Sequence, residues 1–509
     1  MKRLLTPEEM ALCDRAAMEH TPSRTLMERA AHACADAISA MLSGNGADRV
    51  FVLAGTGNNG GDGIACARFL CEAGIPADIC ILPECEERTF SAECRYQYKA
   101  ALAAGVKEVP LSAFEKRKTV YTAAVDALFG IGLSRPVTGE YEAGVRALND
   151  SGLPVLAVDV PSGISALDGS ICGCAVRAEK TVTMAYAKPG LYRYPGTMYT
   201  GEIEIADIGI DDTPLAAVPP LFRIEDEDFS GREDGTALLP PRKPDGNKGT
   251  NGRVLVAAGS RGMSGAAYFS AKAAYRCGAG LVQLLTPEDN RVILQTQLPE
   301  AIITTYDAED PDTAVWTDAV RRADVIVLGP GLGTKETAEK LVRFVLSSSR
   351  VPTVVDADAL NLIAAREIPL PDTFPVILTP HPGEFSRLTG VTVGELLADL
   401  PGYAKRYARG AHAIVAAKDA RTVVTDGSYT FLNTSGSSAL AKGGSGDVLT
   451  GVIAALLAAG CTPLYAAALG VYVHGKAGEY AERQWGTRGV LASELPDFAA
   501  LALRDLTKE

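Results

Sequence analysis

The stretch VFVLAGTGNNGGDG, residues 50–63, joins an apolar run to a loop of glycine, asparagine and aspartate. The apolar run is typical of a strand buried on both faces, as in a parallel sheet. A glycine-rich turn between a strand and a helix presents backbone N–H groups that favour a bound anion. Asn58, Asn59 and Asp62 add hard oxygen ligands, which suit an alkali or alkaline-earth cation better than zinc. The stretch predicts an α/β fold with a ligand-binding loop; a tight turn with side-chain caps is the alternative.

The loop lacks the full pattern of two well-known phosphate-binding motifs. Residues 55–60 have the spacing G-x-G-x-x-G after a strand. A dinucleotide-binding unit also needs an acidic residue at the end of the next strand, whereas Asp78 begins that strand. A Walker A loop needs a Gly-Lys-Ser/Thr sequence, which does not follow. The spacing alone is therefore weak evidence for either class of site.

Length and charge narrow the class of protein. The chain has 509 residues, which predicts two or more domains, and its formal net charge of -13 argues against a nucleic-acid partner. No apolar run reaches the roughly 18 residues of a membrane span, and the N-terminus, MKRLLTPEEM, lacks the hydrophobic region of a signal peptide. Most of the 11 cysteines are interpreted as small buried residues. We expect a cytoplasmic protein without a membrane or nucleic-acid partner.

Apolar runs divide the chain into two series of alternating strands and helices. Residues 6–9, TPEE, have the pattern of a capped helix start, and helical spacing continues through Ile38. Residues 210–250 are rich in proline, glycine and acidic side chains, as expected of a connection. Strands are predicted at 50–54, 77–82, 122–127, 154–159, 180–186, 252–259, 324–328, 353–356, 376–379 and 413–417. The pattern predicts two α/β domains, residues 1–222 and 223–509.

Charged residues stand at the strand ends of the first domain. Asp126 and Asp159 each end a strand and precede a glycine loop, and Lys188 follows the next strand. Ligands bind outside the carboxyl ends of parallel strands, so these side chains are candidates for one site. Helix capping by the aspartates and an ordinary exposed lysine are the alternatives.

A second glycine loop, AKGGSGDVLTG at residues 441–451, precedes an apolar helix. Backbone N–H groups of residues 444–447 would form an anion hole at the helix N-terminus. Asp447 can accept a proton from a hydroxyl that attacks a phosphoryl group. Capping of the helix by Ser445 or Asp447 is the structural alternative.

Other loops of the second domain also follow strands. His381 stands between two prolines and is a candidate ligand contact, with a core histidine as the alternative. Residues 329–333, GPGLG, form another glycine turn. Asp356 and Asp358 fit either a magnesium shell or helix capping, and the sequence does not decide between them.

These motifs resemble a known family. AGTGNNGGDGIACARFL, VDALFGIGL and VDVPSGI are similar to the NAD(P)H-hydrate epimerase domain. GSRGMSGAAYFSAKAAYRCGAGLV, GPGLG, VDADALN, TPHPGE and AKGGSGDVLTG are similar to the ADP-dependent NAD(P)H-hydrate dehydratase, a member of the ribokinase-like superfamily. The resemblance covers nearly the whole chain. It implies an N-terminal Rossmann-like, three-layer domain with a parallel sheet and a C-terminal ribokinase-like α/β domain.

The resemblance implies a bifunctional repair enzyme for hydrated NADH and NADPH, which carry a hydroxyl on the nicotinamide ring. The N-terminal domain would interconvert the R and S epimers. The C-terminal domain would dehydrate the S form with ADP as co-substrate, releasing AMP and phosphate. The family pattern also implies K⁺ in the first domain and Mg²⁺ in the second, and we expect a homo-oligomer.

The family pattern assigns site residues in both domains. Epimerase substrate contacts would come from Asn58, Asn59, Gly60, Gly61, Asp62, Gly130, Ile131, Gly132, Leu133, Ser134, Arg135, Pro136 and Asp159. The potassium ligands would be Asn59, Asp126 and Ser162. The hydrated cofactor would contact Ala266, Gly331, His381 and Asp447 in the second domain. The adenine nucleotide would contact Lys418, Asp419, Ala420, Arg421, Thr422 and Gly446.

Three residues are the candidate catalytic groups. Asp447 would take the hydroxyl proton while the terminal phosphoryl group of ADP is transferred, with Mg²⁺ bridging the phosphates. Asp159 and Lys188 would shuttle protons during the reversible loss and return of water. Two positions depart from the family pattern: Ile131 replaces a common small polar residue, and Asp419 replaces a common glycine near the phosphates.

Two other functions fit the motifs. The GGSGD loop is shared with small-molecule kinases that phosphorylate vitamin-like alcohols, in which case the first domain would be a regulatory nucleotide-binding module. Alternatively, the first domain is a non-enzymatic nucleotide sensor or interaction module. A stable phosphorylated product would indicate the kinase, and epimerisation by the first domain would exclude the sensor.

Overall fold

The computed structural model describes residues 1–44, 48–85, 88–229 and 238–508. The chain divides into two compact units, one of Arg3–Val218 and the other of Met1–Lys2 with Pro219–Glu509. Residue 222, where the sequence places the domain boundary, lies inside a short strand, Leu221–Arg223, that pairs with the sheet of the second unit. Residues 230–237, part of the predicted connection, lie outside the described residues.

The N-terminal unit is built on a parallel sheet. The chain begins with a short strand, β1 (Lys2–Leu4), which is not part of this sheet. The strands of the sheet are β2 (Val50–Ala54), β3 (Ala77–Ile81), β4 (Lys107–Glu108), β5 (Ala123–Ala127), β6 (Val155–Val158), β7 (Lys180–Met184) and β8 (Glu202–Ala206). They lie in the order β4-β3-β2-β5-β6-β7-β8, and each neighbouring pair is parallel. The five predicted strands are confirmed as β2, β3, β5, β6 and β7, and all of their residues except the first of β7 are buried. The edge strands β4 and β8 are short or carry glutamates, so the sequence did not reveal them.

Helices of the N-terminal unit are α1 (Pro7–Met18), α2 (Ser23–Met41), α3 (Asn58–Glu72), α4 (Ala92–Ala103), α5 (Leu111–Arg117) and α6 (Glu140–Asn149). The predicted helix start is confirmed: the Thr6 side chain accepts from the Glu9 amide, and the Glu9 side chain accepts from the Thr6 amide. The helical spacing predicted through Ile38 is confirmed, but it belongs to two helices. Pro22 separates α1 from α2 because a proline restricts the preceding residue and donates no hydrogen bond.

The C-terminal unit has a mixed sheet. Its strands are β9 (Leu221–Arg223), β10 (Arg253–Ala257), β11 (Leu281–Pro287), β12 (Ile302–Tyr306), β13 (Val325–Leu328), β14 (Thr353–Val355), β15 (Val376–Leu378), β16 (Ile414–Ala417), β17 (Val423–Thr425) and β18 (Thr430–Leu432). The order is β1-β9-β18-β17-β16-β15-β14-β13-β10-β11-β12. Strands from β10 to β16 are parallel, whereas β16, β17 and β18 pair antiparallel. Gly427, at φ +90°, lies in the turn between β17 and β18.

Helices of the C-terminal unit are α7 (Ser264–Arg276), α8 (Arg291–Gln297), α9 (Thr313–Arg322), α10 (Glu336–Ser348), α11 (Asp358–Arg366), α12 (Pro382–Thr389), α13 (Val393–Ala398), α14 (Leu400–Ala411), α15 (Ser445–Ala458), α16 (Pro463–Gly489) and α17 (Leu495–Thr507). Helix α15 is apolar around its circumference and almost wholly buried, and it packs against α7. Its N-terminal turn carries the second glycine loop. Within the described ranges, no helix combines the length and hydropathy needed to cross a bilayer.

Candidate active sites

A cavity of about 830 Å³ lies at the carboxyl ends of the N-terminal strands. Its lining includes most of the residues that the sequence assigned to the first site: Asn58, Asn59, Asp62, Gly130, Ile131, Gly132, Leu133, Ser134, Arg135, Asp159 and Lys188. The remaining assigned residues do not line it: Gly60, Gly61, Asp126, Pro136 and Ser162. A parallel sheet brings these separate loops together because its strands end at one edge.

The glycine loop of residues 54–63 forms the first turn of α3 at this cavity. Helix α3 begins after Gly57 without a side-chain cap, so its first amide groups have no side-chain acceptor. Gly60 is required by close packing, because a Cβ there would lie 1.9 Å from the Gly55 carbonyl oxygen. The alternative of a turn capped by asparagine or aspartate side chains is therefore wrong. The helix N-terminus is open to an anion in the cavity.

Asp159 and Lys188 form a buried ion pair in the cavity wall. Nζ of Lys188 donates to Oδ1 of Asp159 at 2.6 Å, to Oγ1 of Thr183 at 2.9 Å and to the Met184 carbonyl at 3.0 Å. Lys188 is fully buried, so the alternative of an ordinary exposed lysine is wrong. Asp159 adopts φ +68°, a backbone conformation that is uncommon for aspartate and more often found at functional sites.

The second oxygen of Asp159 faces the neighbouring loops. A Cβ placed on Gly130 would lie 3.1 Å from Oδ2 of Asp159 and 2.9 Å from Oδ1 of Asn59. The two side chains therefore converge on the space that a glycine leaves free. Nδ2 of Asn59 is buried and has no hydrogen-bond partner in the described residues. A buried amide without a partner costs free energy, so a ligand atom that accepts from it would stabilise this arrangement.

Asp126 and Ser162 lie next to the cavity, behind the loop that begins at residue 128. Oδ1 of Asp126 accepts from Oγ of Ser162 at 2.6 Å, and Oδ2 accepts from the Ser162 amide at 2.7 Å. Burial raises the pKa of the fully buried Asp126 to about 6. Asp126 forms no ion pair in the part of the chain that the structure describes. Carboxylate and hydroxyl oxygens suit an alkali cation, and a carboxylate has about four acceptor sites, of which Asp126 uses three in hydrogen bonds.

Asp14 is a further charged residue of the cavity, and the sequence did not reveal it. It lies on α1 and lines the cavity together with Met10 and Met18 of the same helix. Burial raises its pKa to about 6, and Asp159 adds to the increase, while Lys188 opposes it. Burial also raises the pKa of Asp62, and Asp159 and Asp14 contribute. A lone aspartate in an amphipathic helix gives no signal that distinguishes it from a surface residue.

The second glycine loop forms the N-terminus of α15. Gly444 is the N-cap residue, at φ +93°, and no side chain caps the helix, so the alternative of capping by Ser445 or Asp447 is wrong. A Cβ on Gly446 would lie 3.1 Å from Nζ of Lys418 and 3.5 Å from Oδ2 of Asp356. The predicted nucleotide residues Gly446 and Lys418 are therefore neighbours at the open helix end.

Asp447 lies in the first turn of α15, in an acidic cluster around one lysine. Burial raises the pKa of its carboxyl to about 7, and the carboxylates of Asp356, Asp358 and Glu384 add to this, while Lys418 lowers it. Lys418 donates to Oδ1 of Asp356 at 2.9 Å. A carboxyl with a pKa near 7 is well suited to general acid–base work at neutral pH.

His381 is the N-cap residue of α12, next to the same cluster. Its Nδ1 accepts from the Gly383 amide at 3.0 Å, and its Nε2 lies 3.3 Å from Oε1 of Glu384. Burial lowers the pKa of His381, and the positive charges of Lys418 and Arg387 add to this. With Nδ1 as an acceptor, the imidazole is neutral and carries its proton on Nε2. His381 is about half exposed, so the alternative of a core histidine is wrong.

Gly331 and Ala266 meet at the start of α7. A Cβ on Gly331, which has φ +60°, would lie 2.8 Å from the Cβ of Ala266.

Asp358 accepts from the Gly333 amide at 2.8 Å, and Asp356 is paired with Lys418. Both carboxylates therefore have partners in the protein, which favours their structural roles over a shell of protein ligands around Mg²⁺.

Residues 418–422 form the turn between β16 and β17. Asp419 is exposed and is not among the described residues with positive φ, so a glycine is not required at this position. Ala420 is exposed as well, whereas Arg421 donates to the Thr434 carbonyl at 2.6 Å. The departure from the family pattern at 419 thus changes charge without straining the backbone.

Two family models match the chain. The model described as NAD(P)H-hydrate dehydratase matches residues 254–499, and the model described as YjeF-related protein N-terminus matches residues 23–190. Among solved structures, a ribokinase-like superfamily protein of Enterococcus faecalis aligns with a TM-score of 0.50 and 27% identity, over 57% of this chain and 97% of that one. The predicted fold class, two α/β domains of which the second is ribokinase-like, is confirmed.

Full-length relatives share both units. A bifunctional NAD(P)H-hydrate repair enzyme of Moorella thermoacetica is 37% identical, over 99% of this chain and 97% of that protein. One of Thermofilum pendens is 34% identical, over 90% of this chain and 88% of that protein. Identity at this level along nearly the whole length shows common descent of both units in the same order. The chain belongs to the family of bifunctional NAD(P)H-hydrate repair enzymes.

Proposed function

We propose that the N-terminal unit interconverts the R and S hydrates of NADH and NADPH, and that the C-terminal unit dehydrates the S hydrate with ADP. The products of the second reaction would be NADH or NADPH, AMP and phosphate. The observation that carries the proposal is Asp447, a carboxyl with a pKa of about 7 at the uncapped N-terminus of α15. Its position gives a base beside an anion site, which a phosphoryl transfer requires.

The C-terminal reaction converts a poor leaving group into a good one. Hydroxide leaves a ring carbon slowly, whereas phosphate leaves readily. Asp447 would accept the proton of the substrate hydroxyl while that oxygen attacks the terminal phosphorus of ADP, and AMP would depart. The amides at the start of α15 would stabilise the negative charge that develops on the phosphoryl oxygens. The lone pair of the ring nitrogen would then expel phosphate and restore the double bond after loss of a proton.

Lys418 would orient the nucleotide in this reaction. Its ammonium is held by Asp356 at 2.9 Å and lies beside Gly446. Burial lowers its pKa, but the carboxylates of Asp356 and Glu384 more than offset this, so the lysine stays charged. Because Asp356 and Asp358 are engaged within the protein, no protein ligand for Mg²⁺ is assigned. Mg²⁺ would accompany the phosphates of ADP as their counter-ion.

The N-terminal reaction needs groups that add and remove protons at the ring hydroxyl. Asp159 presents Oδ2 towards the cavity loops, while its Oδ1 is held by Lys188. Asn59, Asp126 and Ser162 would hold K⁺, whose charge would offset the buried carboxylate of Asp126 and favour an anionic ligand nearby. The open N-terminus of α3 would bind the phosphates of the substrate. The apolar side chains of α1 and α2 would cover the nicotinamide ring and exclude bulk water.

The test uses the purified full chain. With S-form NADH hydrate, ADP and Mg²⁺, absorbance of NADH should rise with stoichiometric release of AMP and phosphate. With the R form, NADH should appear only as fast as epimerisation supplies the S form. Asp447→Asn should abolish dehydration of the S hydrate, whereas Asp318→Asn, a partly exposed aspartate on α9, should not. A stable phosphorylated product would contradict the proposal and support the small-molecule kinase hypothesis. Formation of NADH with ATP but not with ADP would show that ATP is the phosphoryl donor.

The proposal extends to the state of the protein in the cell. We expect a homo-oligomer in the cytoplasm, acting on hydrated NADH, hydrated NADPH and ADP. Light scattering after size-exclusion chromatography tests the first expectation, and subcellular fractionation tests the second.

A further inference from the structure

Lys188 has no donor left for a substrate. A lysine ammonium has three N–H groups, and those of Lys188 are directed at Asp159, Thr183 and the Met184 carbonyl, at 2.6, 2.9 and 3.0 Å. Its side chain is also fully buried. Transfer of a proton from Nζ would break one of these bonds and leave a buried acceptor without a donor. Lys188 is therefore built to hold Asp159 in place, and a shuttle with Asp159 needs another partner.

Asp14 has the properties that Lys188 lacks. It lies on α1 and lines the same cavity as Asp159, and its side chain is half-buried. It forms neither a hydrogen bond nor an ion pair within the described residues. The charged groups that face it are Lys188 and Asp159 at the strand ends and Arg15 on its own helix. Asp62, on α3, is the fourth charged group near Asp14.

We propose that Asp14 is the second proton-transfer residue of the N-terminal site and works with Asp159. The proposal rests on the proposed epimerisation, and Asp14 takes the proton-shuttle role that the sequence predicted for Lys188. Two carboxylates on separate elements are what the reaction needs, since water must leave one face of the ring and return to the other. Asp14 comes from α1 and Asp159 follows β6, and both line the cavity in which the ring would bind.

The step balances as follows. The Asp14 carboxyl gives its proton to the ring hydroxyl; the carbon–oxygen bond breaks with its electron pair, and water leaves. The lone pair of the ring nitrogen forms a double bond to the same carbon, which becomes a planar iminium. A water molecule adds to the opposite face, the double-bond pair returns to nitrogen, and the Asp159 carboxylate takes the proton of that water. The reverse epimerisation exchanges the two roles, and solvent resets the protons.

The surroundings of Asp14 support an acid at neutral pH. Burial raises its pKa to about 6, so roughly a tenth of the carboxyl is protonated at pH 7 and about half at pH 6. A carboxyl on an exposed helix would be almost fully ionised there. Burial and the nearby Asp159 thus keep a proton available at the cavity wall.

The experiment compares Asp14→Asn with Glu8→Gln in the full chain. Glu8 is an exposed carboxylate on the same helix, so the control removes the same charge outside the cavity. R-form NADH hydrate is supplied with excess ADP, the uncatalysed rate is subtracted, and NADH formation is followed from pH 5 to 8. We expect the Asp14→Asn rate to fall about 100-fold or more, as for loss of a general acid or base. Both variants should dehydrate the S hydrate at the wild-type rate.

A second variant distinguishes loss of the Asp14 carboxyl group from a structural effect of the substitution. Asp14→Ala should be inactive with the R hydrate and regain activity when acetate is added, because a small carboxylic acid can occupy the vacated space. Acetate should not accelerate the wild type. A rate for Asp14→Asn within threefold of the wild type, or an Asp14→Ala variant that acetate does not rescue, would overturn the proposal. A wild-type chain that does not epimerise the R hydrate would instead refute the proposed function.

Discussion

Nζ of Lys188 lies 2.6 Å from Oδ1 of Asp159, and these side chains are only 1% and 12% exposed. The two residues come from different loops, and Asp159 is held at a positive φ in this arrangement. A buried ion pair of this kind contributes little net stability, but it fixes the orientation of the carboxylate. The second carboxylate oxygen is thereby directed to the loops that carry Gly130 and Asn59.

Removal of the lysine should destabilise the N-terminal unit. Lys188→Met leaves the buried carboxylate of Asp159 without a counter-charge, which costs about 3–5 kcal/mol. Hydrogen exchange of the amides in β6 and β7 measures the free energy of opening. Lys116→Met, an exposed lysine on α5, should change it by less than about 0.5 kcal/mol. An equal effect of the two substitutions would contradict the structural role of Lys188.

A methyl group on Gly130 should block the first site. Its Cβ would lie 2.9 Å from Oδ1 of Asn59 and 3.1 Å from Oδ2 of Asp159, so at least one side chain must move. We expect Gly130→Ala to slow R-to-S epimerisation by about tenfold or more, since small displacements of catalytic groups are costly. Gly394→Ala is the matched control, because an added Cβ there meets no atom within 4 Å and the residue lies on α13, outside this site. Wild-type epimerisation by Gly130→Ala would show that the two side chains do not act on substrate.

Potassium should stabilise the N-terminal unit. A cation beside the buried Asp126 offsets its desolvation, so thermal unfolding of this unit should occur at a higher temperature in KCl than in LiCl at equal ionic strength. Ser162→Ala removes a hydroxyl that lies 2.6 Å from Asp126 and should abolish the difference. Ser39→Ala removes a hydroxyl on α2 that donates to the Ala35 carbonyl, away from Asp126, and the difference should persist. Identical melting of the wild type in both salts would argue against the ion site.

Asp447 should link dehydration and stability to pH. The base must be ionised, so kcat/KM for the S hydrate should rise with pH and level off above about 7, the pKa of this carboxyl. In the unfolded chain the pKa is about 4. Between these values the folded state holds a proton that the unfolded state has lost, so stability falls as pH rises.

Asp447→Asn should abolish dehydration, and it should also remove the loss of stability that the wild type shows as pH rises. The variant should be more stable than the wild type at pH 7 by about 1 kcal/mol or more, and the difference should shrink towards pH 4. Denaturant unfolding of the C-terminal unit at several pH values measures it. A stability difference that does not change with pH would place the pKa of Asp447 near its ordinary value.

The charge at position 419 should weaken nucleotide binding. Asp419 is exposed and its backbone does not need a glycine, so its effect on ADP should be electrostatic. We expect Asp419→Asn and Asp419→Gly to lower the KM for ADP alike, by about two- to fivefold at low salt and less at high salt. An improvement in the glycine variant alone would show that backbone freedom matters there.

The sequence by itself determined the two α/β units and most of the residues that line the first cavity. Strands such as β2 and β13 are continuous apolar runs, because a parallel sheet that is covered on both faces has no solvent-facing side that requires polar residues. Glycine and aspartate residues that follow these strands indicate a ligand site, because ligands bind at the carboxyl ends of parallel strands. Edge strands such as β8 and the interruption at Pro22 were missed, because glutamates mask one and helical spacing continues across the other.

Tertiary structure alone decided which of these groups can do chemistry. Lys188 and Asp159 are distant in sequence, and only packing shows that the lysine has no donor left. Asp14 enters the site because α1 lines the cavity, and Asp447 has a raised pKa because it is buried and lies near three other carboxylates. Local sequence specifies local conformation, whereas burial and charge contacts depend on residues that are far apart in the chain. Those long-range contacts set the pKa values and hydrogen bonds on which the reaction depends.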